Sequence, residues 1–172
     1  GRSTNGWDQK AGQGKVERVK VENYSGGPLF GQFTVRLQQV DLTSPGGPKP
    51  ILAERWRVRI QHGGQRYLVD LESEQSCASQ SPVTVDEYHY GGLMIRGAAE
   101  WSKRRNYDYV TSEGKTKKDG NHTRPRWVDL CGPVDGAACG VLSLNHPANF
   151  RFPQPVRLHP TMPYFCFTPA VL

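Results

Sequence analysis

No two of the four cysteines (Cys77, Cys131, Cys139, Cys166) stand at C-x-x-C spacing, and the five histidines are scattered along the chain. That removes the usual donor pattern of a zinc site and the imidazole cluster of a copper site. No metal and no cofactor is expected. No apolar run is long enough to cross a bilayer as a helix, and none has the shape of a signal segment, so no membrane partner is expected. Helical periodicity is almost absent. No helix-turn-helix, RRM or zinc-finger signature is found, and there is no internal repeat or convincing linker. The chain therefore reads as one domain over residues 1–172.

Glycine (19) and proline (13) are abundant in 172 residues, which favours many short strands and turns. Alternation of apolar and polar residues supplies the strands: Lys15–Glu22, Gln32–Leu42, Ile51–Ile60, Arg66–Glu72, Val83–Tyr88, Leu93–Arg96, Arg126–Leu130, Gly140–Leu144 and Tyr164–Phe167. Thr43-Ser44-Pro45-Gly46-Gly47-Pro48 and His62-Gly63-Gly64 are turn signals between them. The expected fold is all-β, an antiparallel β-sandwich. Cys131 and Cys139 flank one predicted hairpin at a spacing that would allow a disulfide; the alternative is four free thiols acting as small hydrophobes.

The net charge of +6 is uneven, with eight Lys/Arg against three acids over residues 101–126. Segment 102–125 reads as one long basic loop. It is either an anion or nucleic-acid patch or, as the absence of any nucleic-acid-binding signature favours, a solvated mobile flap. In Ile51–Ile60, Arg55, Arg57 and Arg59 share one face. They require carboxylates, with Glu54, Asp70 and Glu72 at hand, or a ligand.

The stretch Trp127–His159 ends a pair of strands in His146-Pro147-Ala148-Asn149 and then Arg151-Phe152-Pro153-Gln154-Pro155-Val156-Arg157. His146, Asn149, Arg151, Arg157 and His159 gather cations, imidazoles and an amide on proline-stiffened loops at a sheet end, where binding groups commonly sit. Together with Glu54-Arg55-Trp56, Val69-Asp70-Leu71-Glu72-Ser73, Tyr90-Gly91-Gly92-Leu93-Met94-Ile95-Arg96-Gly97, Thr111-Ser112-Glu113-Gly114-Lys115, Arg126-Trp127-Val128-Asp129 and Gly132-Pro133-Val134-Asp135-Gly136, these motifs run in order from about Val19 onward. In this the chain resembles the PmoA-like family of uncharacterised bacterial β-sandwich proteins. The resemblance implies a sandwich similar to those of galactose mutarotases and carbohydrate lyases, and a secreted or periplasmic location. It covers the family's central and C-terminal part. An upstream His-His-Arg-Gly-like motif is unmatched, and Gly1–Asp8 reads as a remnant of the front of the sandwich. An incomplete sandwich has an open sheet edge, which invites self-association or pairing with another strand.

The implied ligand is a saccharide, and the residues suit one. Trp127, Trp101 and Tyr90 are candidate platforms for a sugar face; Arg96, Asn149, Arg151 and Arg157 are candidate clamps for hydroxyls or a uronate carboxylate, with Glu72 available to hydroxyls. For proton transfer, His146 is the candidate base and Glu113 or Glu72 the candidate acid. Each has a structural alternative: Trp127 as core, His146 as a cap on a strand end, Arg96 as the partner of a buried carboxylate. Three functions follow. The first is a carbohydrate-active protein of lyase, epimerase or hydrolase type. The second is a non-catalytic sugar-binding module, which the missing motif favours. The third, a basic nucleic-acid-binding module, rests on charge alone, and nucleic acid is not the expected partner.

Overall fold

The computed structural model describes residues 11–170; Gly1–Asp8 lies outside them. The chain is almost all β, 51% strand against 4% helix, and its sheets are antiparallel, as the alternation requires. It divides into two compact units, one ending at Thr84 and the other beginning at Val85.

The first unit is a four-stranded meander, β1 (Gly14–Gly26), β2 (Phe30–Asp41), β3 (Lys49–Gly63) and β4 (Arg66–Cys77), in sequential order. At the β2–β3 turn the carboxylate of buried Asp41 accepts bonds from Thr43 N and Oγ1, both at 2.8 Å, and from Ser44 Oγ at 2.7 Å. Register assigns the two faces. Val35, Trp56 and Ser73 lie opposite one another, as do Phe33, Val58 and Leu71, so one face is apolar. Its centre, Val35 and Val58, is buried, whereas Ile60, Val69 and Leu71 at its margin are exposed.

The other face carries the arginine row, and carboxylates answer it. Arg57 Nε donates to Glu72 at 2.8 Å, its Nη2 also reaches Glu74 at 3.1 Å, and Arg55 Nε donates to Glu22 at 2.8 Å. Arg36 pairs with the same Glu22. Arg59 lies over the Phe30 ring, 4.1 Å from its centroid. Of the two readings of this row, the ion-pair ladder is the one the fold adopts.

The second unit contains β5 (Met94–Arg96), a short helix α1 (Ala99–Arg104), β6 (Asp108–Thr111), β7 (Trp127–Val134), β8 (Ala137–Leu144), β9 (Val156–Leu158) and β10 (Tyr164–Phe167). They form two three-stranded sheets, β6-β7-β8 and β5-β10-β9. Their inner faces share one core: Tyr109, Val128 and Leu130 from the first, Val156, Leu158, Phe165 and Phe167 from the second, with Tyr107 and Trp101 beside them. Two glycines make room for Trp101. A Cβ on Gly97 would stand 2.4 Å from its ring, and one on Gly132 2.8 Å from its Nε1, which donates to Pro133 O at 2.6 Å. Trp101 is thus a core residue and not a sugar platform.

Two sequence expectations change, and one left open is decided. Val83–Tyr88 is not a strand; Val85 and Tyr88 are largely exposed and the segment has no ladder partner. Residues 102–125 are not one long loop. They hold the end of α1 and all of β6, whose Tyr109 and Thr111 turn inward while Val110 turns out. The remainder is pinned to β9: His122 N donates to Val156 O, Val156 N to Thr123 O, and Leu158 N to Asn121 Oδ1. Lys117, one of the basic residues, lies over the Tyr107 ring and donates to Tyr107 O at 2.8 Å. The segment is packed rather than a flap. All four cysteines are free thiols. The register sets Cys131 against Gly140 and Gly132 against Cys139, so Cys131 and Cys139 point to opposite faces of the hairpin and cannot bridge.

Tyr109 is completely buried, and its hydroxyl donates to Met162 O and Tyr164 O, joining the two sheets. Tyr109→Ala should therefore cost about 3–5 kcal/mol. Val110→Ala, on the outward face of the same strand, should cost less than about 1 kcal/mol. Urea unfolding of both variants checks the contrast.

Candidate functional site

β10 is the central strand of its sheet, and its alternation decides what lies on each side. Phe165 and Phe167 enter the core, which sends Tyr164 and Cys166 to the opposite face. The registers add neighbours to that face. Arg96 of β5 stands directly across from Tyr164, and Arg157 of β9 directly across from Cys166. Two arginines thus flank the central strand, displaced by two residues along it.

A strap formed by Tyr88–Leu93 covers part of this face. Phe167 N donates to Leu93 O at 3.0 Å, and the Thr168 hydroxyl to Tyr88 O at 3.1 Å. Gly92 permits the approach: a Cβ there would stand 1.9 Å from Phe167 O. Cys166 is completely buried beneath the strap, and burial pushes its thiol pKa up against the opposing hydrogen bonds from Gly92 and Gly91. The strap also delivers Tyr90, whose hydroxyl meets that of Tyr164 at 2.9 Å. The His89 ring lies 4.4 Å from the Tyr90 ring, centroid to centroid.

His159, in the β9–β10 turn, completes the group. Its ring centroid lies 4.5 Å from that of Tyr164. Its Nδ1 accepts two backbone bonds, from Thr161 N at 3.2 Å and Met162 N at 2.9 Å. With that lone pair occupied, the neutral ring carries its proton on Nε2 and presents a donor. Burial first, then the charges of Arg157 and Arg96, hold His159 below its ordinary pKa of 6.5. Tyr164 is pushed up to about 12, chiefly by burial and then by the Tyr90 hydrogen bond, although both arginines pull it down. Both guanidinium groups therefore act on the same two side chains.

The arginines themselves are not neutralised within the described residues. Arg96 sits over the Tyr164 ring, 4.9 Å from its centroid. Arg157 Nη1 reaches only Leu158 O at 3.5 Å, and its Nε is buried without a partner. Neither forms an ion pair with a described carboxylate, in contrast to Arg36, Arg55 and Arg57 of the first unit. The resulting patch is rich in N–H donors: two guanidinium groups and an imidazole N–H beside two phenols bonded to each other.

The structure therefore brings together four of the residues singled out in the sequence, Tyr90, Arg96, Arg157 and His159, and adds Tyr164. It places the others elsewhere. Glu72 is on the ion-pair ladder of the first unit, where the hydrogen bond from Arg57 holds its pKa below the usual carboxylate range; it is ionised and is not an acid catalyst. Glu113 lies in an exposed turn and accepts from Ser112 Oγ at 2.5 Å. Trp127 is half-buried at the start of β7, opposite Leu144. His146 Nδ1 accepts from Ala148 N at 3.1 Å, which is the capping role and not that of a base. Asn149 Nδ2 donates to buried Asn145 at 2.8 Å, and Arg151 Nη1 to Pro169 O. No hydrogen bond, ion pair or ring contact among the described residues joins Trp127, His146 or Asn149 to Arg96 or Arg157. Tyr164 was missed because Tyr-Phe-Cys-Phe reads as an apolar run with no polar face. Among the described residues no group of three or more His, Cys, Asp or Glu side chains is placed to hold a metal ion, and no helix is long and apolar enough to cross a membrane.

The profile of a family of unknown function, DUF6807, matches residues 2–171. The chain belongs to this family. No curated protein and no solved structure matches it. Membership thus extends across both units, and the chemistry has to be read from the side chains.

Two outcomes follow from this geometry. Gly92→Ala should destabilise the protein by about 1–3 kcal/mol, because the added methyl meets a fixed backbone carbonyl; thermal unfolding measures it. His159 should titrate below pH 6.5 in an NMR titration of its ring protons. Its folded pKa lies below the unfolded one, so the unfolded chain binds more protons and stability rises with pH. That contribution is present above about pH 6.5 and is lost as the pH falls through the folded pKa. Melting temperature should drop less on acidification in His159→Gln than in the parent.

Proposed function

We propose that this chain is a saccharide-binding protein, and that it binds through the outer face of the β5-β10-β9 sheet. The observation that carries this reading is the setting of Tyr164. Its ring centroid has the Arg96 guanidinium at 4.9 Å and the His159 imidazole at 4.5 Å, and its hydroxyl meets that of Tyr90. Sugar sites combine an aromatic surface for C–H groups with fixed planar donors for hydroxyls. The resemblance to PmoA-like proteins, with their mutarotase- and lyase-type sandwiches, supports the same ligand class and an exported setting.

Binding is favoured over turnover by the protonation states. A lyase, epimerase or hydrolase needs a base near neutral pKa. His159 has its Nδ1 lone pair occupied, Tyr164 is raised to about 12, and Arg96 and Arg157 stay protonated. None of the four offers a free base at neutral pH. The basic residues around 101–126 supply no comparable case for nucleic acid, since Lys117 is spent on Tyr107.

Isothermal titration against a panel of oligosaccharides tests the assignment. A saccharide that binds should be recovered chemically unchanged by chromatography. Tyr164→Ala should weaken its binding by about tenfold or more, a loss of at least ~1.4 kcal/mol, while His146→Ala leaves it unaltered. Equal loss on His146→Ala, or turnover of the sugar, would overturn the reading.

A further inference from the structure

Five arginines that stand on strands make a contrast. Arg36, Arg55 and Arg57 each face a carboxylate in the first unit. Arg96 and Arg157 face none among the described residues, although they stand on one face of one small sheet. Like charges gathered without counter-charge repel, and a fold tolerates them where a ligand supplies the missing charge. Arg157 sharpens the point. Its Nε is buried and unpartnered, a charged donor withdrawn from water with nothing to bond. Arg96 lies over the Tyr164 ring, its guanidinium carbon 4.9 Å from the centroid, a cation–π contact that leaves its charge without a counter-ion. Strands two apart in a sheet are separated by about 10 Å, within the combined reach of two arginine side chains. Of the remaining polar groups, His159 Nε2–H is a donor and the phenols of Tyr90 and Tyr164 are bonded to each other, so the guanidinium and imidazole N–H groups set the partner's character, which is rich in acceptors.

Resting on the saccharide reading above, we propose that the ligand is an acidic sugar, a uronate, whose carboxylate is held by Arg96 and Arg157 while its ring lies against Tyr164 and Tyr90. A carboxylate is planar and accepts two parallel N–H bonds from a guanidinium, so it would neutralise the pair. A ring hydroxyl would then take the His159 Nε2–H.

The test is calorimetric titration of the whole chain with trigalacturonate, its methyl ester, the neutral galactose trimer, a sulfated galactose trimer and a simple dicarboxylate such as succinate. The acid should bind, and the ester and neutral trimer should bind at least about tenfold more weakly, since each lacks the charged acceptor. Arg157→Gln and Arg96→Gln should each weaken trigalacturonate by about tenfold or more and weaken the ester by a smaller factor; an equal factor for acid and ester overturns the carboxylate clamp. The ligand series uses the unaltered protein, so the result stands even where a variant fails to fold. Ester or neutral trimer binding as tightly as the acid overturns the acidic ligand and leaves the saccharide reading intact. Preference for the sulfated trimer overturns the carboxylate in favour of another anion. Succinate binding as well as trigalacturonate overturns the saccharide reading and leaves the anion clamp. Failure of every sugar to bind overturns both.

Discussion

Phe165 and Phe167 are committed to the core of the second unit, and the two-residue period of a strand then leaves Tyr164 and Cys166 one direction in which to point. Most of the second unit's organisation depends on this division of β10. Its inner side joins the two sheets, helped by Tyr109, whose hydroxyl reaches over to Met162 O and Tyr164 O. Its outer side receives Arg96 and Arg157 from the flanking strands and is roofed in part by the Tyr88–Leu93 strap, which a glycine at position 92 allows to lie directly on the backbone. The proposed ligand face is thus the reverse side of the core. The phenol that would touch the ligand and the rings that stabilise the unit are successive residues of one short strand.

The two groups of arginines show how context decides the meaning of a charge. On β3 the guanidinium groups sit across from glutamates on the neighbouring strand, exposed to water and weakly coupled. On β5 and β9 the same side chain lies beside phenols and an imidazole, none of which is an anion at neutral pH. The first arrangement satisfies itself. The second has no counter-charge among the described residues, and the proposal that it is a ligand site rests on this difference rather than on the number of positive charges.

Much of this was legible in the sequence. Alternation gave the four long strands and the hairpin around Gly132–Gly136 because each has one apolar side. Arg96 and Arg157 are legible as planar donors at the ends of stiff segments, and Tyr90 as an aromatic surface. What was not legible follows from effects that composition hides. The Lys and Arg residues of 102–125 masked the inward period of Tyr107, Tyr109 and Thr111, since long basic side chains lie along a core edge without entering it, as Lys117 does on Tyr107. His146 looked like a base because it is an imidazole beside a rigid turn. Its lone pair is instead occupied by the turn itself, a local bond that spacing cannot reveal. Tyr164 was hidden by its own neighbours, and only the strand register exposes its pairing with Arg96.

The first unit's sheet has a consequence of a different kind. One of its faces is tied by ion pairs such as Arg57–Glu72 and Arg55–Glu22, and the other is an apolar surface with an exposed margin at Ile60, Val69 and Leu71. Dissolved salt acts on these faces in opposite senses. Screening weakens the exposed charged ladder progressively as ionic strength rises. Sulfate and phosphate, excluded from apolar surface, strengthen burial on the other side at high concentration. A sheet divided in this way has no single response to ionic strength, because the identity of the salt, and not only its concentration, decides which face responds more.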